Sequence, residues 1–238
     1  MFFWEIIKNT KLALKNEDET QLCYLYGKGY STKYQTKKSI FKGFFFRSLI
    51  FFFILFKNFS FFSKKIISRS IYIYAGSKND FETLKSTITI LNDKKKSFHL
   101  EVNETISYND VSYLPKSKLS FFLVNTKIIF VACIMFIFKG FQLYLKLRKL
   151  NKKNVINYYF NVFCEVYLFL PYYFEKLSKI KPKLIIISND HSVKYRALRL
   201  VAETLKIKTL YMQHAGVTKY FPPLEFDYAL LDLSLIHI

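Results

Sequence analysis

Between Lys183 and Gly216 the chain reads KLIIISNDHSVKYRALRLVAETLKIKTLYMQHAG, and no other stretch constrains the fold as strongly. Leu184 to Ile187 is a short, mostly β-branched apolar run, the pattern of a buried strand. Ser188, Asn189, Asp190, His191 and Ser192 then interrupt it with side chains that cap helices and stabilise turns. From Val193 to Leu205 the apolar residues Leu198, Val201, Ala202 and Leu205 recur at helical spacing. Lys208 to Met212 predicts a second strand, closed by Gln213, His214, Ala215 and Gly216.

Strand, helix and strand at such short range make a βαβ unit with parallel strands and a right-handed crossover. Neighbouring strands lie about 5 Å apart, so both polar tips are expected over one crevice at the carboxyl edge of the sheet. Connectivity alone therefore pairs Asp190 and His191 with Gln213 and His214.

A second such unit is predicted upstream. Ser70 to Ala75 alternates like a strand and breaks at Gly76 and Ser77. Asn79 to Leu91 carries Phe81, Leu84, Ile88 and Leu91 on one helical face, and Phe98 to Val102 is a further strand. The Gly76 turn lacks the three-glycine dinucleotide fingerprint and reads as a tight turn. His99, inside a strand, reads as structural. The fold class expected is α/β: a Rossmann-like parallel sheet with flanking helices, preceded by a hydrophobic helical segment.

Three other stretches are rich in aromatic and aliphatic residues. Ile40 to Phe62 is flanked by Lys37, Lys38, Lys64 and Lys65, and its longest uncharged run, Ser48 to Phe56, is short of the roughly 20 residues that cross a bilayer. It fits an aromatic helix lying on an anionic membrane face, or equally a core or inter-domain helix, and a span with Arg47 and Lys57 snorkelling stays open. Leu119 to Lys149 reads first as a long buried helix and second as membrane contact. Asn154 to Ile180 reads as another helix, kinked at Pro171. Pro222 and Pro223 favour an extended loop before a strand at Phe226 to Leu231.

The formal net charge of +20 suits nucleic acid or anionic lipid. The lysines are scattered, without an RNA-binding aromatic motif or metal-finger spacing, so lipid is the expected partner and nucleic acid is not. Cys23, Cys133 and Cys164 lie far apart in apolar contexts and read as reduced core residues. The N-terminus does not read as a signal peptide. The expected division is an N-terminal region at 1–66, a Rossmann-like domain at 67–232, and a tail at 233–238 that resembles translated sequencing adapter, with the natural chain expected to continue.

Three motifs, Ser188 to Ser192 (S-N-D-H-S), Gln213 to Gly216 (Q-H-A-G) and Phe221 to Leu224 (F-P-P-L), resemble those of bacterial capsule and lipopolysaccharide glycosyltransferases of the GT-B type. They are more distantly similar to glycerophosphotransferases that build teichoic acids, in which a His-Gly pair after a strand carries the catalytic histidine. Here Ala215 separates His214 from Gly216. The resemblance covers roughly the last fifty residues and extends to the Ser70 to Val102 unit. It implies two Rossmann-like domains facing each other across a cleft, this chain being the N-terminal, acceptor-side one and inactive alone. It further implies a nucleotide-sugar donor as substrate and a glycan or lipid-linked acceptor, with no cofactor expected; the reduced cysteines and basic surface give an expected location in the cytoplasm, peripheral to the inner face of the cell membrane.

Such transfer needs a base for the acceptor hydroxyl and a cationic or amide-rich pocket for the leaving diphosphate. His214 is the first candidate for base or phosphate contact. Asp190 is the second, as the base itself or as the group that orients a histidine. His191, Ser192, Gln213 and Gly216 are candidate substrate contacts, with Arg196 near a helix start that favours an anion. The plainer alternatives are that Asp190 or Ser192 only caps the helix and that Arg196 and Arg199 form a solvated face. No Asp-X-Asp motif is present and no metal is expected. Two other classes stay open: a sugar-nucleotide epimerase, and a membrane scaffold of polysaccharide export.

Overall fold

The computed structural model describes residues 1–24, 43–60, 67–103, 106–107, 109–150, 153–213 and 223–231. Helices α1 (Phe3–Asn16), α2 (Glu19–Leu22) and α3 (Phe44–Lys57) precede strand β1 (Ile71–Ala75). Then follow α4 (Lys78–Asp93), β2 (Phe98–Val102), two short helical turns at Asn109–Val111 and Lys116–Lys118, and β3 (Leu119–Phe121). Helix α5 (Thr126–Met135) continues through a wide π-type turn at Phe136–Gly140 into α6 (Phe141–Lys149). After α7 (Lys153–Cys164) and α8 (Val166–Ile180) the chain closes with β4 (Leu184–Ile187), α9 (Val193–Thr204), β5 (Lys208–Met212) and β6 (Tyr228–Leu230).

The six strands form one sheet in the order β3-β2-β1-β4-β5-β6, and every neighbouring pair is parallel. The order reverses between β1 and β4, which makes that gap the topological switch point of a Rossmann-like sheet. Strand alternation divides the core between two faces. Ile73, Ala75, Leu100 and Ile186 meet Phe81, Leu84 and Ile88 of α4 on one side. Tyr72, Tyr74, Ile185 and Ile187 meet α8 and α9 on the other, in a larger cluster that also takes in Ile6 and Ile7 of α1 and Phe51 and Leu55 of α3. His99 and Glu101 turn toward α8 as well. His99 Nε2 lies 2.8 Å from Ser120 Oγ, and Glu101 pairs with the buried Lys176, whose Nζ donates to Ser120 Oγ at 2.9 Å. Burial, with Lys176 and Arg69 adding to it, pushes the His99 imidazole down to about 3.

The strands at Phe98–Val102, Leu184–Ile187 and Lys208–Met212 have the bounds that the apolar runs predict. β4 and β5 are hydrogen-bonded parallel neighbours, with Ile187 opposite Tyr211. Two helical expectations are corrected. Leu119 to Lys149 does not form one buried helix, because Leu119–Phe121 pairs with β2 and the helix starts at Thr126, where Asn125 Oδ1 accepts from Ile128 N. That helix is buried on one side only. Asn154 to Ile180 is two helices, with the break at Glu165 rather than at Pro171. A proline ring clashes with the carbonyl four residues back, here Tyr167, and that carbonyl lies in the first turn of α8. Cys23 and Cys164 are buried, Cys133 is half-buried, and all three are free thiols.

Candidate functional site at the carboxyl edge

Two βα turns flank the switch point, and they are built differently. After β1, Gly76 donates its N–H to Tyr195 Oη at 2.6 Å, and the Tyr195 hydroxyl donates to Asp80 Oδ2. Ser77 Oγ donates to the same carboxylate at 2.7 Å and accepts the Asp80 N–H at 3.2 Å, which caps α4. Burial, reinforced by Tyr74 and Asp80, pushes the Tyr195 phenol up, so it stays a neutral donor. A Cβ on Gly76 would sit 2.7 Å from that hydroxyl. The start of α4 is thus filled from within by a carboxylate and a phenol. The Asp80 carboxylate there opposes an incoming anion.

The turn after β4 is left open. Ser188 is fully buried, and its Oγ reaches toward the Asp80 carbonyl at 3.4 Å. Asn189 Oδ1 accepts the His191 N–H at 3.2 Å, an Asx-type turn that sets the direction of the loop. Asp190 is 4 % exposed, and His191 Nδ1 lies 3.5 Å from its Oδ1. Asp190 Oδ2 is buried without a hydrogen-bond partner among the described residues. Buried carboxylate oxygens are rarely left so, because the lost solvation is costly. Ser192 occupies the N-cap position of α9 but its side chain makes no capping bond, and neither does Asp190. The capping alternative for these two residues does not describe this turn.

Beside the open turn lies a cavity of about 410 Å³, lined by Cys23, Val162, Glu165, His191, Ser192, Val193 and Lys194. Lys194 sits over the rings of Phe122 and Phe169, with Nζ 4.9 and 5.2 Å from their centroids. Burial pushes the Glu165 carboxyl up to about 7, against the opposing pull of Lys194. One wall thus offers a cation and the N–H groups of a helix start, the other a carboxyl that titrates near neutrality.

The β5 tip adjoins this turn. Burial first, then the Asp190 and Asp80 carboxylates, push the Tyr211 phenol up, so its ring lies within their field. Gln213 donates its N–H to Leu230 O at 2.9 Å, which ties the tip to the end of β6. His214, Gly216, Phe221 and Pro222 lie outside the described residues. Arg196 is elsewhere. It is 5 % exposed, and its Nη2 lies 3.1 Å from Glu17 Oε2 and 3.3 Å from Glu225 Oε2. Arg199 pairs with Glu17, Glu203 and Glu225 as well. The two arginines form a buried charge network, not a solvated face, and Arg196 is neutralised by protein carboxylates. Another cavity, about 640 Å³, borders this network at the amino ends of β5 and β6, away from the open turn. Among the described residues no three His, Cys, Asp or Glu side chains converge to hold a metal ion.

No protein-family model, no curated protein and no solved structure matches the chain. The class that fold and edge geometry define is a Rossmann-like α/β protein with one closed and one open turn at its switch point. Sequence reasoning passed over Tyr195, Asp80, Glu165 and Lys194. A signal existed for two of them. Ser77 and Asp80 have capping-box spacing before an apolar run. Glu165 is the only charged residue between Lys153 and Glu175. Nothing local marks Tyr195.

Proposed function

We propose that the chain is the acceptor-side Rossmann-like domain of a GT-B-type glycosyltransferase that builds bacterial surface polysaccharide. A nucleotide sugar is the donor and a glycan or lipid-linked sugar the acceptor. The observation that carries this reading is the Asp190 carboxylate, buried with one oxygen unpartnered beside the His191 ring at the carboxyl end of β4. A carboxylate at imidazole Nδ1 fixes the tautomer and leaves Nε2 to accept a proton. The acceptor hydroxyl then attacks the anomeric carbon, the bond from that carbon to the diphosphate breaks, and the hydroxyl proton goes to the imidazole. The uncapped start of α9 and Lys194 suit the departing negative charge. His214, following β5, is the alternative base, and in this reading a second α/β domain brings the donor.

The test uses the complete gene product, nucleotide-sugar donors and lipid-linked acceptor, with release of nucleoside diphosphate as the readout. Asp190→Asn and His191→Ala should each lower acceptor-dependent release by about 10²- to 10⁴-fold, the usual worth of a positioned base. His214→Ala is run alongside to decide which imidazole takes the proton. Donor turnover without acceptor would replace transfer by epimerisation. Unchanged polymer formation in all three variants would leave only a scaffold role.

A further inference from the structure

Among the described residues, an exposed apolar surface lies on helices that the candidate site does not use. α3 buries Ser48, Phe51 and Leu55 and turns Phe45, Leu49, Phe53 and Phe56 to solvent. Those four recur at i, i+4, i+8 and i+11, one stripe along the helix. The continuous helix Thr126–Lys149 does the same: Val131, Met135, Leu143 and Leu147 face inward, while Phe130, Ile137, Phe138 and Phe141 face outward. The two helices touch, since the Phe136 ring lies 5.4 Å from Phe51 and 5.1 Å from Phe52. α1 adjoins on the other side, where Phe3 meets Phe130 at 5.6 Å and Trp4 is 73 % exposed. Gly43 N donates to Asn157 O at 3.0 Å and Arg47 Nε to the same oxygen at 3.1 Å, which pins α3 to α7 and fixes which side faces out.

We propose that this three-helix face docks the protein onto an anionic bilayer, lying in the headgroup and upper acyl region. The charges name the occupant. α3 carries Arg47 and Lys57 and no acidic residue, and the helix Thr126–Lys149 carries Lys127, Lys139, Lys146, Arg148 and Lys149 and no acidic residue. α1 adds Lys8, Lys11 and Lys15 against Glu5. A second copy on this face would bring like charges together across an apolar contact, whereas anionic headgroups complement basic ends and accept aromatic rings. Length and packing set the depth. α3 has 14 residues, about 21 Å, and falls short of a hydrocarbon core of about 30 Å. The 24-residue helix is long and apolar enough to cross, but its inner side packs on α8, which itself covers the sheet. Lipid can reach only its outer side. The docking proposal does not depend on the glycosyl-transfer reading.

Trp4 is the only tryptophan in the chain and reports on the face directly. The protein is mixed with vesicles of phosphatidylglycerol and phosphatidylcholine, or of phosphatidylcholine alone, and followed by co-sedimentation and Trp4 emission. Phosphatidylglycerol vesicles should bind it about tenfold or more better than neutral ones, with a blue shift that weakens at high salt. The variant Phe45→Ser/Phe53→Ser/Phe138→Ser changes only exposed positions and should keep its far-UV spectrum and melting temperature. It should lose binding by about 100-fold, in proportion to the apolar area removed. Equal binding by variant and parent overturns the proposal, as does a parent that ignores both vesicle types. A dimer that the triple substitution dissociates, without vesicle binding, assigns the face to a second copy instead. Equal Trp4 quenching by shallow and deep brominated lipids would overturn the interfacial depth.

Discussion

The turns after β1 and β4 stand side by side on one sheet edge, yet they are held together differently. In the first, Gly76, Ser77, Asp80 and Tyr195 are tied to one another by four hydrogen bonds. The second ends in a buried carboxylate with an oxygen to spare and a helix start without a side-chain cap. One sheet position therefore serves as a joint and its neighbour as a candidate site. Fold alone did not decide which is which; the side chain at one position of α9, Tyr195, did.

The sharpest way to break this contrast is to exchange the effect of the two aspartates. Asp190→Asn should lower acceptor-dependent transfer by about 10²- to 10⁴-fold while the melting temperature moves little. Asp80→Asn should lower the melting temperature while activity per folded molecule holds. Reversed outcomes would exchange the roles assigned to the two turns. Next, Gly76→Ala should cost about 2 kcal/mol in urea unfolding, because the new Cβ meets the Tyr195 hydroxyl in a packed core. The same change in a Tyr195→Phe background should cost clearly less, since the clashing oxygen is gone. Additive costs would mean that the phenol is not what shapes that turn.

Glu165 gives a pH test of the open side. Its folded-state carboxyl sits at about 7, above the ordinary 4.5, so its contribution to stability is intact below about 4.5 and is lost as pH rises through 7. Glu165→Gln does not titrate. Its stability relative to the parent should therefore climb between pH 4.5 and 8, by on the order of 3 kcal/mol, in melts run across that range. A difference that stays constant with pH would show that burial does not hold the proton on Glu165. The smallest expected effect is a paired one. Ser77→Ala should cost about 1 kcal/mol through loss of the α4 cap, and Ser192→Ala close to nothing, because α9 has no such bond to lose. Equal losses would erase the distinction between the turns.

Much of the sheet was legible because its strands are short apolar runs bounded by turn residues, as at Leu184–Ile187 and Lys208–Met212, and such runs have few other ways to be buried. β3 was not, since Leu119–Phe121 is strand only through its pairing with β2 and sits at the head of a longer apolar stretch. The candidate site divides in the same way. Asp190 and His191 announce themselves as a polar interruption between two strands. The Tyr195 contact to Gly76 spans 119 positions, and the Arg196 contact to Glu17 spans 179, so no local pattern foretells either. Charge networks that join distant segments look, in sequence, like surface charge.

The Tyr195 hydroxyl has one more consequence. By bonding the first turn of α9 to the loop beyond β1 and to Asp80, it ties together the two turns on either side of the switch point. A molecule entering over Asp190 would find its berth already shaped and would forfeit little freedom of the protein in settling there.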